Sequence, residues 1–540
     1  MKKLLRNQHH SRLFRAFLII GIIGILTLLY QLHKEITVPV ITPGGSYTEG
    51  LVGAPRFINP ILAQTITDQD VTRLVFTPIL QITNNSTEYL LAESFEKNSS
   101  GNKYTLVLKD NLYFSDGNKL DANDVFFTIS QIQNPEINSP LYRQWQGVTV
   151  TKIDDLTLEF NLAAAYQDFI YNFEIGVLPE HLWSQTLGSD FIFENLNLDP
   201  IGNGPFAVSS LNSNTKNLSA EYTLTRNELA YEKAYLDHIH LKFYENVGAL
   251  EEALNKGNVD AAYGISASED QEYEVSKSVL PRSFGIFFNT KNQSPVFTQE
   301  IRRAISHAIN RDALVSDIFD NQAIGHNQYT RYQASSENIY NPTLARELIS
   351  NEGFTLGADN IYQKDNRPLS FELSVPNVEE LNQVAEFVKN SLTSIGVEVI
   401  IETFDQGNFV QEVLRPRDYD AILYGYELLR PSDLYAFWHS SQINEPGLNV
   451  SMFESKSLDT HLEDLRKDGS QEELLSEISE SLVQAHPAII LYSPLGRYIT
   501  APHVKGISAT VEQSQDRFAD VASWYTKTRR MWPFFTDSTL

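Results

Sequence analysis

The chain contains no cysteine. That excludes a disulfide framework, thiolate metal sites, a cysteine nucleophile and a lipidated N-terminal cysteine. Catalytic signatures are missing as well, since no H-E-x-x-H, G-x-S-x-G or phosphate-cradling P-loop occurs in the 540 residues. There is no internal repeat and no low-complexity tract. Positive charge is scarce: 42 Lys and Arg face 68 Asp and Glu, a formal net charge of −26. Six of the cations precede Glu35 with no acid among them, which leaves 36 cations against all 68 acids in the remainder. A surface so negative repels phosphate backbones and argues against nucleic acid as a partner.

What is present suffices for folding. Apolar residues make up 42% of the chain and aromatics 11%, ample for packed cores, and the length suits about three domains. Lys2, Lys3, Arg6, Arg12 and Arg15 precede the uncharged run "AFLIIGIIGILTLLYQLH", residues 16–33. As a helix it reaches ~27 Å, close to the ~30 Å hydrocarbon core of a bilayer. The basic flank favours a cytoplasmic N-terminus and an exported remainder. No small-residue cleavage site follows the run, which predicts a retained anchor rather than a removed signal peptide. The expected order is a basic cytoplasmic N-terminus at 1–15, a transmembrane signal-anchor at 16–33 and a polar, proline-bearing tether at 34–45.

The body alternates strand and helix signals. In "KYTLVLKDNLYFSDGNKLDANDVFFTI", Tyr104, Leu106 and Leu108 alternate with polar or outward positions, as a half-buried strand requires. A turn at Asp110-Asn111, a short strand at "LYF" and a turn at Ser115-Asp116-Gly117 are predicted to follow. Asp121 then caps a helix, with Asp124 three residues on. "VTVTKIDDLTLEFNL" reads as a hairpin turning at Asp154-Asp155, and Ile239, Leu241 and Phe243 form the inward face of another strand. "FTQEIRRAISHAINRDALVSDIF" has the spacing of one amphipathic helix, with Phe297, Ile301, Ala304, Ile305, Ala308 and Ile309 apolar. "VEELNQVAEFVKNSLTSIG" is a second helix leading into the strand "VEVIIETF". The class is mixed α/β.

No catalytic centre emerges. "SFEK", residues 94–97, fits S-x-x-K, but the companion motifs of penicillin-binding enzymes are missing. Asp154-Asp155 suits a solvated turn better than an acid–base pair. His238 and His240 share a strand face, yet no third metal ligand stands near them.

"LAESFEKNSSGNKYTLVLKDNLYFSDGNKLDANDVFFTI" resembles the hallmark region of the extracellular solute-binding proteins of family 5, the oligopeptide and dipeptide binders of ABC transporters. Ala92, Glu93, Ser94, Phe95, Tyr104, Phe114, Asp116, Gly117, Ala122, Asp124, Val125 and Phe127 fill its pattern. "APRFINPILA", "IGNGPF", "LTRNELAYE", "ALEEALNKGNVDAAYG" and "FFNTKNQSPVFTQEIRRAISHAINRDALV" resemble further family segments in the same order. The resemblance covers residues 46 to about 525.

It implies a periplasmic-binding-protein type II fold, two lobes joined by a hinge, with a third sub-domain inserted in lobe one. Lobe one would comprise about 46–82, 200–282 and 486–525, the insertion 83–199 and lobe two 283–485, with 526–540 a C-terminal tail. The implied function is capture, not catalysis, without cofactor or metal: a membrane-anchored binder that delivers peptides to the transmembrane subunits of an ABC permease. A ligand enclosed between lobes would pair its backbone with protein strands. By motif position Gln64 and Ile66 line one wall. The strand "YDAILYGYELLRPSDLYAFW" supplies the other, with Tyr424, Gly425, Tyr426, Glu427, Arg430, Asp433 and Trp438 as candidates. The family's ammonium-binding aspartate has no counterpart at its place in "YELLRPSD"; Glu427 or Asp433 are the substitutes, and Arg430 would favour an anion. That departure leaves open a non-peptide solute, such as a metal chelate or a saccharide. A surface binding or sensing module without transport is the further alternative.

Overall fold

A computed structural model of the chain describes residues 2–83, 86–213, 220–265, 273–292, 298–330, 339–468, 472–507, 511 and 513–535. Phe297 and the last five tail residues, 536–540, lie outside them. One strand organises what is described. Ala488–Thr500, thirteen residues and largely buried, carries a different sheet on each half. Its first half pairs antiparallel with Arg282–Phe288, its second with Glu274–Val279 and Ala261–Tyr263. Lobe one continues from Ala261–Tyr263 through Ser46–Val52 and His238–Tyr244 to Ala220–Arg226 and Phe206–Ser213. Lobe two continues from Arg282–Phe288 through Ala421–Glu427 and Ser370–Pro376 to Glu398–Phe404.

The parallel pairs in both sheets need crossovers, and the helices Val247–Asn255 and Glu379–Thr393 supply them. Between the lobes the chain crosses at 279–282 and again at 492–495, where the Leu280 N–H donates to the Pro494 carbonyl at 3.0 Å. Two adjacent antiparallel strands are the architecture of a hinge, since small φ/ψ changes in both rotate one sheet against the other.

The inserted sub-domain is a four-stranded antiparallel sheet in the order Ala92–Lys97, Lys103–Leu108, Thr157–Asn161, Thr149–Lys152. Tyr104, Leu106 and Leu108 point into its core, as the alternation predicts. Asp121 caps the helix Ala122–Ile132, and the buried Asp124 carboxylate accepts from the Asp121 and Glu180 N–H groups, both at 2.9 Å. That second bond ties the helix to the Pro179 turn. Burial pushes the Asp124 carboxyl up to about 6. Asp154 sits in the predicted hairpin turn, accepting from Leu156 N–H at 2.9 Å, while Asp155 pairs with Lys152 at 2.9 Å.

Local structure departs from the sequence reading in four places. "LYF" contributes only an isolated bridge, Tyr113 to Lys119. The helix read from 297 to 319 is two helices, Gln299–Ala308 and Arg311–Phe319. Ile309 is extended, and the Asn310 side chain caps the second helix at Ala313 N–H, 3.1 Å away. Asparagine competes with helical backbone through such a cap, so the apolar period continues through a break. The segment 419–438 is strand only over Ala421–Glu427; Pro431 then starts a turn of 3-10 helix, and Leu434–Trp438 is helical. The segment 34–45 includes the strand Val38–Ile41, paired antiparallel with Thr528–Met531 of the C-terminal segment.

Lobe one holds a fully buried ion cluster. Arg517 donates to Glu49 at 2.9 Å and to Asp70 at 2.7 Å, and the Tyr47 and Tyr498 hydroxyls also donate to Glu49. Strand, helix and C-terminal segment are thereby joined at one point. At the other end of the chain the helix Lys2–Ile36 stands apart, and its stretch Leu18–Ile36 is entirely exposed and apolar enough to cross a membrane.

Candidate functional site

The first predicted wall is built by one carboxylate. Asp68, in the first turn of Ile66–Val75, accepts from the N–H groups of Arg56, Phe57, Gln64 and Thr65 at 2.6–3.3 Å. The Thr65 hydroxyl in turn accepts from Asp68 N–H at 3.0 Å, completing a capping box. Gln64 and Ile66 are held exposed on this rigid loop, Ile66 at 62%.

The second predicted wall divides by strand alternation, because Tyr424 and Tyr426 point to one face and Gly425 and Glu427 to the other. Tyr426 and Trp438 are core residues, 2% and 1% exposed. The Tyr426 hydroxyl donates to the Tyr329 carbonyl at 2.9 Å, and both rings pack on Phe287. Tyr424 is half-buried at the edge of the same aromatic group, 5.8 Å from Phe287. Gly425 lies under Phe284, where an added Cβ would come within 2.6 Å of the ring. Glu427 is exposed, 3.7 Å from Arg282.

Arg430 and Asp433 stand where lobe two meets the inserted sub-domain. The Arg430 guanidinium lies over the Tyr171 ring, 4.7 Å from its centroid. Arg466, on the helix Lys456–Asp468, lies over Tyr435 at 4.4 Å and Tyr166 at 5.8 Å. Asp433 accepts from Leu429 and Arg430 N–H groups at 2.9 and 2.8 Å through one oxygen. Burial pushes its carboxyl up, and the negative charge of Asp168 adds to that shift.

Asp168 was not singled out from the sequence. It lies on the 3-10 helix Gln167–Phe173, between the two tyrosines that Arg466 and Arg430 cover, and is 6% exposed. Its Oδ2 has no hydrogen-bond partner among the described residues. A buried carboxylate oxygen without a donor is costly in free energy and marks a place where a ligand donor would be stabilising. The signal available in sequence was the run "AYQDFIYNF", an acid spaced between aromatics.

No group of three or more His, Cys, Asp or Glu side chains among the described residues could hold a metal. His238 and His240 lie beside Thr225 and Thr223 on the sheet face, 3.3 Å from each hydroxyl. A cavity of about 170 Å³ is bounded by Ser306, His307, Tyr329 and His486.

Comparison with known proteins gives this arrangement a context. The chain is 24% identical over 500 residues to the oligopeptide-binding protein AppA of Bacillus subtilis (strain 168), covering 86% of this chain and 89% of that one. Its fold matches the ABC transporter substrate-binding protein CtaP of Listeria monocytogenes with a TM-score of 0.75 at 21% identity, over 90% of this chain and 100% of that chain. It also matches NikZ of Campylobacter jejuni, solved in complex with Ni(L-His), with a TM-score of 0.67 at 22% identity, over 89% of this chain and 99% of that chain. The model of the bacterial extracellular solute-binding proteins, family 5 Middle, matches residues 87–445, two-thirds of the chain. With two lobes on paired crossing strands, an inserted sub-domain and that match, the chain belongs to the bacterial extracellular solute-binding proteins of family 5.

Proposed function

We propose that the protein is the substrate-binding component of an ABC importer, held at the outer face of the membrane by its N-terminal helix, and that it captures peptides between its lobes for delivery to the permease. The observation that carries the peptide reading is the carboxylate pair at the lobe boundary. Asp168 from the inserted sub-domain and Asp433 from lobe two offer acceptor oxygens from two bodies that a hinge brings together. A peptide's N-terminal ammonium has three donors and one positive charge, which suits two carboxylates. Such charge-assisted bonds also add to the closed state alone, so that ligand drives closure. In this reading the pair takes the place of the aspartate missing from "YELLRPSD". Gln64, Ile66, Tyr424 and Glu427 are exposed or half-buried and remain candidate wall residues, whereas Tyr426 and Trp438 support the wall from the core. The likeness to an oligopeptide-binding relative along nearly all of both chains supports the same reading.

The test is calorimetric titration of the detergent-solubilised full chain with a mixed tetra- and pentapeptide pool, repeated with N-acetylated peptides. Binding of free but not acetylated peptides supports the ammonium site. Equal binding of both places peptide capture elsewhere in the cleft. Binding of neither, with uptake of a metal–amino-acid chelate instead, favours the reading suggested by the likeness to NikZ.

A further inference from the structure

The strand pairing at the foot of the molecule brings the two ends of the chain together beside the apolar helix. Thr37, the residue after Lys2–Ile36, is 2% exposed. Val38 pairs with Met531 and Ile41 with Thr528, so the C-terminal segment runs back toward the helix as it leaves the strand. Arg530 fastens the junction by donating to the Thr37 hydroxyl at 3.0 Å, to the Thr37 carbonyl at 2.6 Å and to the Lys34 carbonyl. The next residues are therefore delivered to within roughly 10 Å of the helix end, given ~3.3 Å per extended residue.

Those residues have a distinct chemistry. Trp532 is 49% exposed and Phe534 86% exposed. Lys34, Lys527, Arg529 and Arg530 are exposed around them, and Glu35 is the one acid in 34–41 and 527–535. In a chain of net charge −26 this is an island of opposite sign. Leu18–Ile36, 19 residues, spans ~28 Å as a helix, so its last turn ends at the level of the headgroups. Exposed aromatics favour that interfacial layer, and lysine and arginine favour its anionic phosphates.

We propose that residues 527–535, clamped to the helix exit by the Val38–Ile41 pairing, form a collar that docks on the anionic phospholipid surface of the membrane in which the helix sits. The collar would hold the acidic body, which an anionic membrane repels, at a fixed height and orientation. The area of contact is small, but the helix supplies the affinity and the collar needs only to orient.

The test uses the full chain reconstituted in vesicles of phosphatidylcholine, with or without phosphatidylglycerol, doped with brominated phosphatidylcholine. Four of the five tryptophans, Trp145, Trp183, Trp438 and Trp524, are at most 3% exposed, so bromine quenching reports on Trp532. The expected result is co-flotation with vesicles and quenching that requires phosphatidylglycerol and disappears in high salt. A Trp532→Phe variant should float but lose the quenched component. Lys527→Gln with Arg529→Gln leaves the Arg530 clamp intact and should lower the docked-to-undocked ratio roughly 30-fold, from two lost cations. Failure to float, absence of quenching, quenching indifferent to phosphatidylglycerol, or quenching that survives Trp532→Phe would each overturn the proposal.

Discussion

Replacing Arg517 by leucine probes the joint on which lobe one depends. The guanidinium is fully buried and pairs with both Glu49 and Asp70, themselves fully buried, on a strand and a helix remote in sequence. Burial raises both carboxyl groups, and Arg517 opposes that shift in each. Removing one partner of a buried ion pair costs about 3–5 kcal/mol, because the charge left behind has neither water nor a counterion. Here two charges are left, although the Tyr47 and Tyr498 hydroxyls still donate to Glu49. A loss of that size is a large share of the ~5–15 kcal/mol that holds a typical domain folded. It also has a pH signature. Without Arg517 the folded-state pKa of both acids rises further above the unfolded value, so their contribution is present at low pH and lost as pH rises. Arg517→Leu should therefore destabilise more at pH 8 than at pH 5, and Glu49→Gln with Asp70→Asn should recover part of the loss at pH 8. Urea unfolding followed by tryptophan fluorescence includes a reporter beside the joint, since the Trp524 ring lies 5.3 Å from Tyr47 and 5.8 Å from Phe518. A loss below ~1 kcal/mol at pH 8, or one independent of pH, would refute the reasoning.

Three further outcomes are expected. His326 is half-buried with Nδ1 accepting from Gln328 N–H at 3.2 Å and Nε2 against the Ser493 hydroxyl at 2.8 Å, an arrangement that requires the neutral ring. Burial pulls its pKa down to about 4, so its contribution is lost as pH falls below the unfolded value of ~6.5, by roughly 3 kcal/mol at pH 4. His326→Gln should flatten that part of the acid-denaturation profile, and an unchanged slope between pH 6.5 and 4 would count against it. At Gly204 an added Cβ would lie 2.5 Å from the Val75 carbonyl carbon, so Gly204→Ala should lower stability by ~1–3 kcal/mol in urea melts, where a neutral result would show that the backbone at Val75 can relax. Asp168→Asn should weaken peptide binding by ~1.5–3 kcal/mol in calorimetry while leaving the unfolding midpoint level or raised, because it replaces a carboxylate whose buried Oδ2 has no hydrogen-bond donor.

Periodic features were legible in the sequence because they depend on local rules. The alternation at Tyr104, Leu106 and Leu108, the Asp121 cap and the turn at Asp154-Asp155 all appear where the residue pattern places them. The break at Asn310 was not, since a cap inside a continuing apolar period leaves the period unchanged. The candidate wall at 424–427 was read by motif position, which ignores the two-residue period that turns Tyr426 into the core and Glu427 to solvent. Asp168 was invisible for a different reason. Its interest arises from Asp433 and Arg430, more than 260 residues later, and from a missing donor, neither of which a linear pattern encodes. The pairing of Val38–Ile41 with Thr528–Met531 joins the two ends of the chain and was equally beyond local reading.

The central claim, that the cleft captures peptides by their backbones and amino end, is tested most directly by native mass spectrometry of the gently purified full chain, followed by denaturing release and fragmentation. The account predicts a ladder of heterogeneous short peptides with free amino termini, depleted in Asp168→Asn. A single non-peptide mass, or peptides retained equally by that variant, would contradict it.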